Sequence, residues 1–345
     1  MSDYSDFELR EVSPDFKLSM TSVYALLEKS GLKYEKLDYM AAIFDSENKA
    51  YACGGYEKRT IKCVAVTEEA RGEGLSNRII SHILQRLLSD SGDCIRLYTK
   101  PENEEMFLSF GFKMISRADK AIFMERGRGI EDYLAELKIH KNDGVNGCLV
   151  MNCNPFTKGH LYLAEYASQR CDTLYVFVVS EDRSVFPAKD RYELVKEGLS
   201  HLRNVKVLEG GAYIISQDTF PSYFIKEYSD ITKAHTQLDI SIFSKYISPI
   251  LNIKKRFVGE ELTDRVTLEY NKTMLDILPE NDIEVTVVPR KTDDKGNIIS
   301  ASVVRKCISE DDFDTVKGMV PDCTYKYLTS DRAKNVIEKI RNEYK

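Results

Sequence analysis

The sequence predicts a two-domain α/β protein: a β-rich α+β domain over residues 1–130, then a domain with a parallel sheet flanked by helices over residues 131–345. Three observations predict it. At 345 residues the chain is too long for one ordinary core and suits about two domains. Its early part carries closely spaced short strands, whereas from Val145 onward strands and helices alternate, the pattern of a parallel sheet covered on both faces. Between them, Glu125 to Asn146 is charged and contains Gly127, Gly129 and Gly144, the composition of a junction.

In the first domain, Tyr39 to Val66 reads as a meander of strands, with turn signals at Asp45–Lys49 and Gly54–Gly55. A Gly-containing turn leads into Asn77 to Leu88, where Ile79, Ile80, Ile83, Leu84 and Leu87 recur at helical spacing. The strand CIRLYTK, a short helix and the segment FGFKMISRADKAIFMERG complete it. GIEDYLAELKIHK is a connecting helix. In the second domain the strands are GCLVMNC, TLYVFVVS, VKVLEG, KRFVGEE and IEVTVVPRK, and the helices between them include GHLYLAEYASQR and KDRYELVKEGLSHL. Asp239 reads as the cap of a helix ISIFSKYI.

With 43% hydrophobic and 30% charged residues, this is the composition of a soluble globular protein. The 49 basic and 55 acidic residues give a net charge of −6, which argues against a nucleic-acid partner but not against a small anionic ligand held by a few local cations. The acidic N-terminal stretch has no apolar run, as a secretory signal would need, and nowhere does an apolar run approach the roughly 20 residues that span a bilayer. A cytoplasmic protein without a membrane partner is expected. The eight cysteines are scattered without a CxxC pair, which predicts mostly buried thiols rather than disulfides or a metal site.

The stretch most informative about function is Met151 to Ala167, MNCNPFTKGHLYLAEYA. A buried strand ends at a Pro-containing loop, and TKGH then opens a helix. A helix N-terminus offers unpaired amides and a positive dipole end, which favour phosphate. Gly159 permits close backbone approach, His160 lies within reach of the same anion, and Lys158 adds a mobile charge. Downstream, Ile298 to Lys306 (IISASVVRK) sets Ser300, Ser302 and Arg305 at a second helix start. Taken singly, His160 could be a cap or core histidine, Arg305 a surface arginine and Lys158 a solvated one. Arg183 and Arg191, flanking SVFPAKD, either contact a substrate carboxylate or phosphate or belong to a solvated helix start.

TKGH resembles the HxGH/TxGH motif of the HIGH-type nucleotidylyltransferase superfamily, and ISASVVR its ISSTxxR element, with Ala301 replacing the second Ser. The resemblance implies a Rossmann-like nucleotidylyltransferase domain. By it, Asn154, Phe156, Thr157, Gly159 and His160 line an ATP site, with Gly259 near the adenine or ribose. Ser300, Ser302 and Arg305 would then meet the β- and γ-phosphates, with His160, Lys158 and Arg305 in the catalytic roles. The blocks MNCNPFTKGH, VVSEDRSVFP, QLDISIF, FVGEE, VPRK and ISASVVRK, in this order, resemble the [citrate (pro-3S)-lyase] ligase family over nearly the whole chain. That implies an ATP-dependent, AMP-forming ligase with Mg²⁺ on the phosphates. It would activate acetate as acetyl-adenylate and pass the acetyl group to the prosthetic-group thiol of the acyl-carrier subunit of citrate lyase.

VAVTEEARGEGLSNRII resembles motif A of the GNAT acyltransferases, with Arg71, Gly72 and Gly74 in the loop that holds a CoA pyrophosphate and Ser76 where that family has Gly or Ala. The first domain is therefore expected to be GNAT-like and to hold a pantetheine- or CoA-like group. Two alternatives use the same motifs: an adenylyltransferase forming a dinucleotide-type product, with Lys189, Arg191 and Arg203 for a phosphate-bearing substrate, and an acetyl-CoA-dependent N-acetyltransferase with a nucleotide-sensing module.

Overall fold

The computed structural model describes residues 7–13, 17–89, 94–180, 184–214, 220, 223–225, 228–261, 265–292 and 296–344. The chain forms two compact units, Met1–Asp132 with Pro221–Ala234, and Tyr133–Phe220 with His235–Lys345. No sequence pattern marks the segment Pro221–Ala234 as part of the first unit.

Unit 1 contains β1 (Glu8–Glu11), α1 (Lys17–Lys29), β2 (Tyr39–Phe44), β3 (Ala50–Glu57), β4 (Thr60–Val66), α2 (Leu75–Ser89), β5 (Ile95–Thr99), α3 (Glu104–Ser109), β6 (Lys113–Arg117) and β7 (Ile122–Arg126). Its sheet order is β1-β2-β3-β4-β5-β7-β6. Every pair is antiparallel except β4 with β5, and α2 makes the crossover a parallel pair requires. The apolar stripe of α2 is the reason it lies on the sheet: Leu75, Ile79, Ile80, Ile83, Leu84 and Leu87 are all buried, against Ala41, Ile43 and Ile61 among others. This is the β-rich α+β domain the sequence predicts.

α4 (Gly129–Lys138) leads into unit 2. There follow β8 (Asn146–Met151), α5 (Lys158–Ser168), β9 (Thr173–Val178), α6 (Ala188–Gly198), β10 (Val205–Glu209), α7 (Tyr228–Ile242), α8 (Ser248–Leu251), β11 (Ile253–Gly259), α9 (Arg265–Ile277), β12 (Glu284–Val288), α10 (Ala301–Ser309), α11 (Phe313–Met319), α12 (Asp322–Leu328) and α13 (Lys334–Glu343). The five strands are parallel in the order β10-β9-β8-β11-β12. The chain thus starts in the middle, moves outward to β10 and returns to the other side of β8, the Rossmann-like winding expected. All six residues of β9, TLYVFV, are buried, as a strand covered on both faces must be. One face packs Leu149, Met151, Val176 and Phe257 against α5, α6 and α10 to α13. Cys148, alternating with Leu149, meets Arg256 of β11 at 3.1 Å instead. Asp239 is no cap: it is buried inside α7 and accepts a hydrogen bond from Tyr270 of α9.

Candidate functional site

In a doubly wound sheet, ligands settle beyond the carboxyl ends of the strands where the winding reverses, here between β8 and β11. A cleft of about 570 Å³ lies there, lined from β8 and its loop (Asn152, Asn154), the start of α5 (Thr157, Gly159, His160), the ends of β11 and β12 (Gly259, Arg290, Lys291) and the start of α10 (Ser300, Ser302, Arg305).

Both helix starts are capped from within. The Thr157 side chain accepts from the His160 backbone N–H at 3.3 Å, and His160 Nδ1 accepts from the Thr157 backbone N–H at 3.1 Å, a capping box in which imidazole takes the usual place of a carboxylate. An N–H can only donate, so Nδ1 carries no proton in this bond and the neutral ring bears its hydrogen on Nε2. Burial, and after it the positive charge of Arg290, pushes the His160 pKa down to about 4. Near neutral pH the ring is therefore an uncharged Nε2–H donor. At α10 the Ser300 hydroxyl accepts from the Val303 N–H at 3.3 Å and lies 3.0 Å from the Ser302 hydroxyl.

The two helix starts meet at Gly159. A Cβ there would stand 2.9 Å from the Ile299 carbonyl oxygen, so glycine is required by the approach of the segment that enters α10, before any ligand is considered. Gly259 differs, since a Cβ would meet only Leu163 at 3.8 Å. Arg305 donates to the Asn154 carbonyl and ties α10 to the β8 loop. Asn154, whose peptide bond to Pro155 is cis, accepts from the Phe186 N–H at 3.1 Å.

Three expectations need correction. Phe156 does not line the cleft: its ring is fully buried beside Cys323 and Gly198, and its carbonyl accepts from Thr324. It backs the His160 ring at 6.0 Å instead. Lys158 points elsewhere too, its amine donating to the Lys317 and Gly318 carbonyls at 3.3 and 2.9 Å, because the C-terminal end of α11 attracts a cation. Arg191 is fully buried and clamps the loops after β8 and β9, donating to the carbonyls of Asn152, Val179 and Phe186. Arg183 lies outside the described residues.

Sequence reasoning missed Arg290 and Lys291. The signal was present, because PRK directly follows β12 and so stands at the carboxyl edge of a parallel strand. Arg290 is held by Glu261 and by the Glu260 carbonyl, the latter at 2.7 Å, and Lys291 lies 5.6 Å over the Tyr162 ring. The cysteines are all free and none is exposed; burial raises the thiol pKa of Cys153 and carries that of Cys171 to about 11, away from nucleophilic use.

Unit 1 has a cavity of about 520 Å³, lined among others by Arg71, Gly72, Ser76, Tyr98, Lys100 and Asn103. Gly72 and Gly74 have φ of 89° and 74°, and nothing stands within 4 Å of the Cβ position of either. Gly74 precedes α2 and is not among the lining residues.

Among the described residues no helix is long and apolar enough to cross a membrane. Residues 146–328 match the model of the citrate lyase ligase C-terminal domain. A [citrate [pro-3S]-lyase] ligase from Haemophilus influenzae is 35% identical over 90% of this chain and 95% of its own. One from Escherichia coli K12 is 34% identical over 94% of this chain and 93% of its own. A solved acetyltransferase of the GNAT family from Staphylococcus aureus Mu50 aligns at 10% identity and a TM-score of 0.30, covering 35% of this chain and 98% of its own. On the extent and identity of the two ligase matches, and on the domain model that spans the cleft, the chain belongs to the [citrate [pro-3S]-lyase] ligase family.

Proposed function

We propose that this enzyme activates acetate with ATP and acetylates the prosthetic-group thiol of the acyl-carrier subunit of citrate lyase, releasing AMP and pyrophosphate. The observation that carries the reading is the convergence of two helix starts and a neutral His160 in one cleft at the sheet's winding reversal. Such a site suits a triphosphate better than an uncharged ligand, because it offers amides, hydroxyls and the guanidinium of Arg305 in fixed positions.

An acetate oxygen attacks the α-phosphorus, the bond to the β-phosphate oxygen breaks, and pyrophosphate leaves. The carrier thiolate then attacks the acyl carbon and AMP leaves with the electron pair of the C–O bond. Neither step needs a protein nucleophile. Both need anions held in line and growing negative charge met by donors already in place. His160 Nε2–H would serve the α/β-phosphates, Ser300, Ser302 and Arg305 the β/γ end, and Asn154, Thr157, Gly159 and Gly259 the walls of the nucleotide site. Among the described residues no group of three or more His, Cys, Asp or Glu side chains can hold a metal ion, so Mg²⁺ would take its ligands chiefly from the phosphates and water. For unit 1 we propose that the cavity beside Arg71 and Gly72 receives the pantetheine arm of the carrier, with Gly74 freeing the turn before α2.

The test is acetate-dependent exchange of labelled pyrophosphate into ATP with Mg²⁺, for wild type and His160→Ala. Exchange that requires acetate and is lost in the variant supports acyl-adenylate formation. An enzyme that binds ATP yet exchanges with no small carboxylate, with or without the carrier subunit, refutes it.

A further inference from the structure

β4 and β5 are paired in parallel only through Thr60 with Arg96 and Ile61 with Leu97. Beyond that register the strands part, and their backbone groups need other partners. Within β4, Cys63 has a φ of 57° and the ladder to β3 shifts register, the signature of a bulge. The open stretch faces the cavity of unit 1, which Val64, Ala65 and Val66 line from β4 and Leu97, Tyr98 and Thr99 from β5.

Tyr223 bridges the gap. Its hydroxyl donates to the Tyr98 carbonyl of β5 at 3.4 Å and meets the Cys63 backbone amide of β4. The Tyr223 carbonyl accepts from the Lys33 N–H at 2.8 Å, and Phe224 packs edge-on against its ring at 5.1 Å. With 7% of its surface exposed, the residue is seated rather than resting on the surface. Both aromatic side chains line the same cavity as Arg71 and Gly72. A linear chain of secondary amides such as pantetheine would use the same groups, accepting from one strand and donating to the other, because each amide carries one donor and one acceptor.

We propose that Tyr223 is a built-in stopper of the β4–β5 gap, competing with a pantetheine arm for the backbone groups of Cys63 and Tyr98. This rests on the arm-holding role proposed for unit 1. Seated, Tyr223 confines the arm to the outer part of the cavity; displaced, it opens the gap. Full entry of the arm therefore requires the phenol to leave, and the apparent affinity is lowered by the fraction of molecules in which it is seated.

The experiment is calorimetric titration of the full chain with desulfo-CoA, at saturating ATP to occupy unit 2, for wild type, Tyr223→Ala and Tyr223→Phe. Tyr223→Ala should bind about tenfold more tightly than wild type or better. Tyr223→Phe, which keeps the ring but lacks the hydroxyl that holds the backbone groups of both strands, should bind more tightly than wild type and less tightly than Tyr223→Ala. Equal or weaker binding by a folded Tyr223→Ala, with clear binding by wild type, overturns the stopper and leaves the arm-holding role standing. No binding by any of the three overturns both.

Discussion

Replacing Gly159 by Ala should cost far more activity than stability. The new Cβ would lie 2.9 Å from the Ile299 carbonyl oxygen and 3.4 Å from Thr157 Oγ1. The first contact is too short for carbon and oxygen, and the oxygen belongs to backbone that cannot easily yield. Ile299 is buried, and its N–H donates to the Lys291 carbonyl at 3.1 Å. Overpacking of this kind costs about 1–3 kcal/mol, while removing a helical glycine returns about 1 kcal/mol. The net destabilisation is therefore about 0–2 kcal/mol, readable as a small shift in a urea transition. The relief has to come from parting the starts of α5 and α10, and a misplacement approaching 1 Å between positioning groups costs about 10²-fold in rate. Acetate-dependent pyrophosphate exchange, measured beside the urea transition, separates the two effects. Wild-type exchange in a variant of wild-type stability would refute the reasoning, because the helix starts would then not need this separation.

Lys158→Ala should leave exchange within about threefold of wild type and cost no more than about 1 kcal/mol, since a partly exposed amine on helix-end carbonyls contributes little; Arg305→Ala should lower exchange by more than about tenfold. Removing Arg191 as Arg191→Met strands the buried carbonyls it serves and should destabilise unit 2 by about 3–5 kcal/mol, and a loss below about 1 kcal/mol in a urea transition would contradict its role as a clamp. The unfolded imidazole of residue 160 takes up a proton near 6.5, the folded one only near 4. Between those values the unfolded chain binds more protons, so stability falls as pH drops from about 6.5 to about 4, by up to about 3 kcal/mol. His160→Gln should flatten that part of the stability–pH curve, and an unchanged curve would show that the ring is not held neutral.

What the sequence made legible is what local pattern controls. The strand at Asn146–Met151, the helix starts at Thr157 and Ser300, and the buried face of α2 each follow from short-range periodicity and capping residues. Side-chain direction is not local. Lys158 sits in the motif, but its amine answers to the end of α11, some 160 residues later in the chain. Phe156 sits beside His160, yet the core formed with Cys323 and Gly198 claims its ring. Tyr223 could not be placed from its surroundings in sequence, because its partners, Lys33 and Tyr98, lie far upstream. Periodicity reports which face of an element is buried. It does not report which distant element does the burying.

On the proposed reaction, the corrected positions change how the cleft would stabilise charge. With Lys158 turned to α11 and Arg191 enclosed under the loops, two of the cations expected beside the nucleotide are structural. Arg290 is already matched by Glu261, and Arg305 by the Asn154 carbonyl. Most of what would remain for the phosphates of the proposed substrate is fixed and neutral: amides at two helix starts, two serine hydroxyls and the Nε2–H of His160. Donors of this kind need no reorganisation when charge moves from the α-phosphorus to the departing pyrophosphate. A mobile lysine would instead hold ground state and product about equally and gain nothing for the step. On the proposed reaction, then, the diversion of Lys158 is compatible with catalysis, and the geometry held by Gly159 and Thr157 matters more than the number of positive charges.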